Sequence, residues 1–124
     1  MKKRVEATLA QVSVTSVHID IDSEKILNRD ITCEAYGKSQ LGIPKDLEDQ
    51  TILLSSQFKI YAKNREDAFC AQISADFYFK LDARVDDYDD IVREQCLPMI
   101  RKETTILTNK VLGTMGYGEF LSVD

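Results

Sequence analysis

Few side chains in this sequence have the types and spacing that catalysis requires. His18 is the only histidine, and it lies between Val17 and Ile19 in an alternating, β-branched stretch. Neither a Cys–His pair nor a Ser-His-Asp triad can be assembled convincingly around it, because the sequence offers no obvious partner to orient the imidazole. We interpret His18 as a structural histidine and expect that the protein is not an enzyme.

Two other motifs imitate ligand sites but have simpler explanations. Four aspartates, Asp86, Asp87, Asp89 and Asp90, lack the spacing of a calcium loop. They lie where a helix is expected to begin, at the positive end of its dipole, and Asp87 is the predicted N-cap. "GTMGYG" (Gly113–Gly118) follows a helix and reverses the order of the dinucleotide-binding motif, so it predicts helix termination. The sequence therefore predicts no metal site and no cofactor.

The composition is that of an ordinary globular protein. With 124 residues, of which 44% are hydrophobic and 30% charged, the chain is expected to form a single domain over residues 1–124. Its net charge of -5 argues against nucleic acid as a partner, because binding to phosphates depends on Lys and Arg.

The cysteines and the N-terminus bear on the compartment. Cys33, Cys70 and Cys96 are far apart and form no CxxC motif, which is typical of reduced thiols in a cytoplasmic protein. The basic start "MKKRVEATLA" is not followed by the apolar stretch of a signal peptide, and no run approaches the ~18 apolar residues of a membrane span. We therefore expect a cytoplasmic protein.

The clearest structural signal is the alternation in the middle of the chain. "AFCAQISADFYFKLD" (Ala68–Asp82) places apolar side chains at every odd position from Phe69 to Leu81. This period of two predicts a long strand with one apolar face. Thr51–Lys63 alternates as well, and the short "NRED" (Asn64–Asp67) between the two stretches predicts an antiparallel hairpin.

The first part of the chain also alternates, but its phase changes. In Val5–Glu24 the apolar residues stand at even positions at Val12 and Val14 and at odd positions from Val17 onward. A slip of one residue would turn the second half of the strand to the opposite face of the sheet. We therefore predict a β-bulge near Thr15–Ser16.

A shorter strand and one substantial loop are predicted next. Asp30–Lys38 alternates and is assigned to the second strand, whereas Gly37–Gln50 contains two glycines and a proline and is assigned to a loop. This loop carries Leu41, Ile43 and Leu47, which are more apolar side chains than a solvated connection needs. Long loops of this kind are often functional.

The period becomes helical after Asp89. Because a proline disfavours helical conformation at the residue before it, Pro98 predicts two helices, one ending near Gln95 and one beginning at Pro98, with Gly113 or Gly116 closing the second. The residues expected to pack on the sheet are Ile91, Leu97, Ile100, Thr104, Leu107, Val111 and Thr114. Four strands followed by two helices predict an α+β fold, in which a four-stranded antiparallel sheet has both helices packed on one face.

Three short motifs in this arrangement are similar to those of a known family. "EDAF" (Glu66–Phe69) is similar to the family's "ETAF" at the start of the fourth strand, and "LPMIR" (Leu97–Arg101) is similar to its "FPYAR" at the start of the long second helix. Gly113 and Thr114 match a Gly-Thr pair after that helix. With the order of elements and the length, these motifs resemble the SecB-like family of protein-export chaperones. The chain looks like a divergent branch, such as one of the small uncharacterised Gram-positive families.

The sequence departs from that family at three places. Cys70, Ala71 and Gln72 stand where typical members carry Leu-x-Glu, which docks the SecA motor. Lys102 replaces a glutamate, and the sequence stops at Asp124 without the family's Cys/His zinc tail. Contact with SecA through the usual surface is therefore doubtful.

The resemblance implies a function that involves binding and no chemistry. SecB-type chaperones are homo-oligomers that hold unfolded or partly folded polypeptides in apolar grooves between the loop after the second strand and the second helix. The matching positions in this sequence are Tyr36, Leu41, Ile43 and Leu47 for one wall and Met99, Ile106 and Met115 for the other. These residues either line a polypeptide-binding groove or pack a subunit interface, and the sequence leaves both interpretations open, as it does dimer and tetramer.

Three functions remain as hypotheses. The first is a SecB-like holdase that binds non-native polypeptide segments as an oligomer and slows their aggregation. The second is a non-enzymatic adaptor with the same fold and one dedicated folded protein partner. The third is a small-molecule carrier, which the apolar loop favours least.

Overall fold

Four strands, one short helix and one longer helical run are the secondary structure of the described part of the chain. The computed structural model describes residues 5–26, 33–42, 50–63, 67–83, 85 and 87–117. The strands are β1 (Ala7–Ile21), β2 (Cys33–Gly42), β3 (Thr51–Ala62) and β4 (Phe69–Leu81). The helices are a single turn, α1 (Ser23–Ile26), and a run of three segments, namely α2 (Asp89–Ile91), a π turn (Val92–Cys96) and α3 (Leu97–Thr114).

The strands form one antiparallel sheet in the order β1-β4-β3-β2. The β3–β4 hairpin is confirmed, and so is the apolar face of β4, since every odd residue from Phe69 to Leu81 is buried. The helical run packs on that side of the sheet, which we call the helix-side face, and the opposite side is the outer face. The predicted α+β class with an antiparallel sheet and helical cover on one face is confirmed.

Two irregularities keep the apolar residues of β1 on the helix-side face. The register with β4 shifts between Val14 and Ser16, which confirms the predicted bulge, and it also shifts between Leu9 and Gln11. Each shift adds one residue to β1 and so reverses the alternation. The seven apolar residues that consequently lie opposite buried residues of β4 are Ala7, Leu9, Val12, Val14, Val17, Ile19 and Ile21.

The second strand is longer than the sequence predicts. β2 continues to Gly42, so Ser39 to Gly42 belong to the sheet and not to the predicted loop. The loop assignment was wrong there because Gly37 weakens the strand signal, whereas the paired Phe58 fills the space above this glycine. The rest of the predicted loop, residues 43–49, lies outside the described residues.

Pro98 does not divide the helix in two. The N–H of Leu97 bonds to the carbonyl oxygen of Val92, five residues earlier, and this wider turn stands directly before the proline. Because a π turn admits an extra residue, the helix continues through Pro98 from α2 to α3 as one run. The prediction of two separate helices was therefore wrong. The N-cap is Tyr88, one residue after the predicted Asp87, whose carboxylate accepts a hydrogen bond from the Asp89 N–H at 2.9 Å.

The extra residue in the π turn also changes which helix residues face the sheet. The buried residues are Ile91, Cys96, Ile100, Thr104, Thr108, Asn109 and Leu112. The predicted stripe is therefore correct at Ile91, Ile100 and Thr104. It is wrong at Leu97 and Thr114, which are exposed, and at Leu107 and Val111, which are only half-buried.

The core consists of two apolar clusters with a polar middle. One cluster joins Ile100 to residues of β3 and β4 such as Phe77, and the other joins Leu112 to the opposite end of the same strands. Between them the helix buries threonines, where Thr108 Oγ1 donates a hydrogen bond to the carbonyl oxygen of Thr104 at 2.8 Å. This bond offsets the cost of burying the hydroxyl group.

The end of α3 gives a direct test of backbone conformation. Gly116 has φ +98°, and the Tyr117 N–H bonds to the Leu112 carbonyl while the Gly116 N–H bonds to the Gly113 carbonyl, which is a Schellman motif. Gly116→Ala should lower the free energy of unfolding by about 1 kcal/mol, because alanine is strained at positive φ. Gly113→Ala should raise the free energy of unfolding by about 0.5–1 kcal/mol, because Gly113 lies inside the helix and no atom would be within 4 Å of the added Cβ. Urea unfolding measures both changes. Equal effects of the two substitutions would contradict this assignment of the helix end.

Candidate functional site

A groove lies between the helical run and the two strands on one side of the sheet. It has a volume of about 950 Å³ and is open to solvent. Its floor is the helix-side face of β2 and β3, and its wall is one side of the helical run. The floor residues are Ala35, Gly37, Ser39, Leu41, Leu54 and Phe58. The wall residues are Asp89, Val92, Arg93, Leu97, Pro98, Arg101, Lys102 and Thr105.

The floor follows from the register of β2 and β3. Gly37 pairs with Phe58, and the aromatic ring lies so close that an added Cβ on the glycine would be 2.7 Å from Phe58 Cζ. Leu41 pairs with the buried Leu54 at one end of the floor, and between the two pairs the Ser39 and Ser56 hydroxyl oxygens are 2.7 Å apart. The floor is therefore largely apolar with one polar pair in its middle.

The wall combines apolar and basic side chains. Leu97 is 37% exposed and adds apolar surface to the wall. Arg93, Arg101 and Lys102 are exposed on the same wall, and Asp89 stands at its start. The groove therefore presents apolar surface at the bottom and mainly positive charge at the side.

Gln95 fixes the start of the wall against the sheet. Its side-chain amide accepts a hydrogen bond from the Ala7 N–H at 2.8 Å and donates one to the Val5 carbonyl oxygen at 2.7 Å. Gln95 thus pairs with the free backbone edge of β1 as a neighbouring strand would. The π turn places Gln95 at this edge, and sequence reasoning gave it no role beyond the end of a helix.

The predicted polypeptide-binding residues do not all lie together. Among those that the structure describes, Leu41 lines the groove, whereas Tyr36 is 63% exposed on the outer face. Met99 packs partly against the first core cluster, Ile106 is half-buried, and Met115 is exposed at the end of α3. Ile43 and Leu47 lie outside the described residues.

Most of the groove was missed by sequence reasoning. Ala35, Gly37 and Leu54 stand at alternate positions of their strands, and this alternation was visible in the sequence. What the sequence did not indicate is that the helical run covers β4 and part of β3 but leaves the helix-side face of β2 open. The position of the helix is a tertiary feature, and the extra residue of the π turn contributes to it.

The residues considered for catalysis and metal binding lie on the surface, apart from Asp86, which is outside the described residues. His18 Nε2 lies 2.8 Å from Asp20 Oδ2, and both side chains are well exposed on the outer face. Asp90 pairs with Arg93 at 2.8 Å, in keeping with a helix N-terminus. Among the described residues no three His, Cys, Asp or Glu side chains are grouped to hold a metal ion.

Burial determines the protonation of two thiols. Cys96, in the π turn, is fully buried, and burial raises the pKa of its thiol to about 11. Burial also raises the pKa of Cys33 in β2 above its usual value. Both groups are protonated at neutral pH, and a protonated thiol is a poor nucleophile.

A second apolar surface lies along β1. Val12, Val14 and Val17 belong to the helix-side face but are 39%, 43% and 42% exposed, because the helical run does not reach over the middle of this strand. β1 is also an edge strand of the sheet. We call this surface the valine strip.

Comparisons with known proteins show similarity at the level of the fold. Neither protein-family models nor curated protein sequences gave a match. Among solved structures, the SecB-like chaperone Rv1957 of Mycobacterium tuberculosis, in complex with a ChAD peptide from the antitoxin HigA1 (Rv1956), superposes with a TM-score of 0.64. The match has 6% sequence identity and covers 96% of this chain and 88% of that one. A protein of unknown function from Streptococcus agalactiae matches with a TM-score of 0.53 and 16% identity, over 98% of this chain and 99% of that one.

The class of the fold follows from these observations. The described strands and the helical run form an α+β fold of the SecB-like type, with a four-stranded antiparallel sheet followed by a C-terminal helix. Within the described residues, no helix has both the length and the hydropathy that crossing a membrane requires.

Proposed function

We propose that the protein is a SecB-like chaperone, or holdase, that binds non-native polypeptide segments in the groove. The proposed activity is binding alone, without enzymatic chemistry or a cofactor, and takes place in the cytoplasm. A holdase acts by mass action, since it binds the unfolded state of a client and keeps its free concentration below the level at which it aggregates.

The groove is the observation that carries this proposal. An open cavity of about 950 Å³ with an apolar floor is large enough for several side chains of an extended segment. Leu41 and Phe58 are half-buried on the floor, and the wall adds Leu97. Unfolded polypeptides expose apolar side chains along an extended backbone, and such a surface removes these side chains from water.

The M. tuberculosis neighbour supports the same reading. That protein is a SecB-like chaperone in complex with a peptide from an antitoxin. A fold of this type therefore accommodates a peptide in at least one protein, and we extend polypeptide binding to this chain as part of the proposal.

We further propose that the protein works as a homo-oligomer. The valine strip supports this, because exposed valines on an edge strand are a surface that monomeric proteins usually cover. Sedimentation or light scattering would distinguish a monomer from a dimer or tetramer.

An adaptor with one dedicated partner is the second candidate. The peptide bound by the M. tuberculosis neighbour comes from a single antitoxin. A dedicated adaptor would use the same groove for one protein, whereas a holdase would accept many unrelated unfolded chains.

The test compares one leucine in the groove with one outside it. Leu41→Ser should weaken suppression of aggregation of a denatured client severalfold at a fixed ratio of protein to client, because it makes the apolar floor polar. Leu53→Ser is the matched control, since Leu53 is also half-buried but lies on the outer face of the adjacent strand. Client aggregation is followed by light scattering.

Each outcome separates the candidates. Suppression of several unrelated clients by the wild type, weakened in Leu41→Ser only, supports the holdase. No suppression of any client, together with capture of one folded protein that Leu41→Ser abolishes, supports the adaptor. Loss of oligomer mass in Leu41→Ser would assign the groove to a subunit interface and contradict both.

A further inference from the structure

The charge of the groove is opposite to that of the whole protein. The sequence carries a net charge of -5, yet the described groove residues include Arg93, Arg101 and Lys102 with Asp89 as their only carboxylate. A local field of this sign attracts negative charge even when the protein as a whole repels it. The contrast therefore bears on which polypeptide segments the groove accepts.

Two of the three cations are available to a ligand. Arg93 is already paired with Asp90 at 2.8 Å. Arg101 and Lys102 are exposed neighbours near the C-terminal end of the wall, and neither forms an ion pair with any residue that the structure describes. A carboxylate that lies in the groove would meet them at the edge of an apolar surface, where screening by water is weaker than in bulk solvent.

The dimensions of the groove fit an extended segment. From Ala35 to Leu41 the floor spans about 20 Å at ~3.4 Å per strand residue. From Val92 to Thr105 the wall spans about the same length, at ~1.5 Å per helix residue. A segment of about six residues in extended conformation would fill it, and its alternate side chains would point to the floor.

We infer that the groove selects extended polypeptide segments in which apolar residues alternate with acidic ones. The apolar residues would contact the floor at Leu41 and Phe58, and the acidic residues would pair with Arg101 and Lys102 on the wall. This inference rests on the proposed function and specifies the chemistry of its ligand. Nucleic acid fits less well, because the floor is apolar and the protein is acidic overall.

The test uses two fluorescent peptides that differ only in charge. Each has about nine residues, with leucine or phenylalanine at alternate positions and either glutamate or lysine between them, so that it exceeds the groove at ~3.4 Å per residue. Fluorescence anisotropy should show that the glutamate peptide binds about tenfold more tightly at low salt, a difference of about 1.4 kcal/mol that two exposed ion pairs can supply together. The preference should decrease as salt is added.

Charge reversal on the wall provides the matched variants. Arg101→Glu combined with Lys102→Glu should weaken the binding of the glutamate peptide and strengthen the binding of the lysine peptide. Lys110→Glu should leave the affinity for both peptides unchanged, because Lys110 is exposed on the same helix but is not part of the groove. All three positions are exposed, so circular dichroism should show folded variants.

The outcomes distinguish this inference from the proposed function. If both peptides bind equally and Leu41→Ser weakens both, charge selection is overturned while the groove and the proposed function stand. If neither peptide binds, charge selection is also overturned, and the aggregation assay decides separately on the holdase. If a single-stranded oligonucleotide binds more tightly than the glutamate peptide, and the double variant no longer binds the oligonucleotide, Arg101 and Lys102 bind nucleic acid and the inference is wrong.

Discussion

Leu112→Ala is expected to lower the free energy of unfolding by about 2–5 kcal/mol, the usual cost of removing a buried leucine side chain. Leu112 is completely buried and is the helix residue that holds the second core cluster, with Ile60, Phe69 and Ala71 of the sheet. Its removal leaves a cavity at the end of the sheet that the first cluster does not reach. Urea unfolding followed by circular dichroism measures the change.

Leu107→Ala is the matched control on the same helix. Leu107 is only half-buried, so its replacement should cost about 1 kcal/mol or less. The comparison is informative because the helical stripe in the sequence predicts that Leu107 packs on the sheet, whereas in the structure Leu112 is the buried leucine. A larger cost for Leu107 than for Leu112 would show that α3 is rotated relative to the arrangement described above.

Gly37→Ala is expected to affect both stability and binding. The new Cβ would lie 2.7 Å from Phe58 Cζ and 2.8 Å from Phe58 Cε2, so the ring must move away from β2. Because the Phe58 ring is half-buried and borders the open groove, its displacement should cost only about 1 kcal/mol of stability, the low end for an added methyl group. Because Phe58 is part of the floor, the displaced ring would also occupy space in the groove, and affinity for the glutamate peptide should fall severalfold in the anisotropy assay.

Gly42→Ala controls for the loss of a glycine in the same strand. An added Cβ at Gly42 would be 3.7 Å from Leu53 Cβ, an ordinary contact, so we expect unchanged binding and a small effect on stability. If Gly37→Ala bound the peptide as well as Gly42→Ala does, Phe58 would not be a determinant of the groove.

The strands could be predicted from the sequence because alternation is a local signal. β4 follows the predicted stretch almost residue for residue, and the bulge at Thr15 was visible as a change of phase. The same signal was present between Leu9 and Val12, where the phase also changes, but it was not used. The end of β2 could not be predicted in this way, because Gly37 interrupts the alternation. The strand accommodates this glycine because the Phe58 ring of the next strand fills the space of its missing side chain, which is not a local signal.

The helical run was less predictable because its phase depends on one inserted residue. Ile91 and Cys96, five positions apart, are both buried, and after Cys96 the buried positions recur every four residues to Leu112. Pro98 is a local signal for a break, yet in this chain it follows a π turn inside a continuous helical run. Sequence reasoning therefore identified the helix but assigned part of it to the wrong face.

The candidate site was predictable only in part. Leu41 was identified through a family resemblance, and it lines the groove. Arg101 and Lys102 were not recognised as site residues, since surface charges carry no positional signal in a sequence. Their significance arises from the open face of β2 opposite them, and that arrangement is set by how the helical run crosses the sheet.

The amide of Gln95 has a consequence for how copies of this sheet could meet. By bonding to the Ala7 N–H and to the carbonyl of Val5, just before the strand, it makes the backbone groups at the start of the β1 edge unavailable to any incoming strand. The bulges farther along the strand interrupt the regular spacing that a pairing template needs. Lateral growth into a continuous cross-β ribbon through this edge of the sheet is thereby disfavoured.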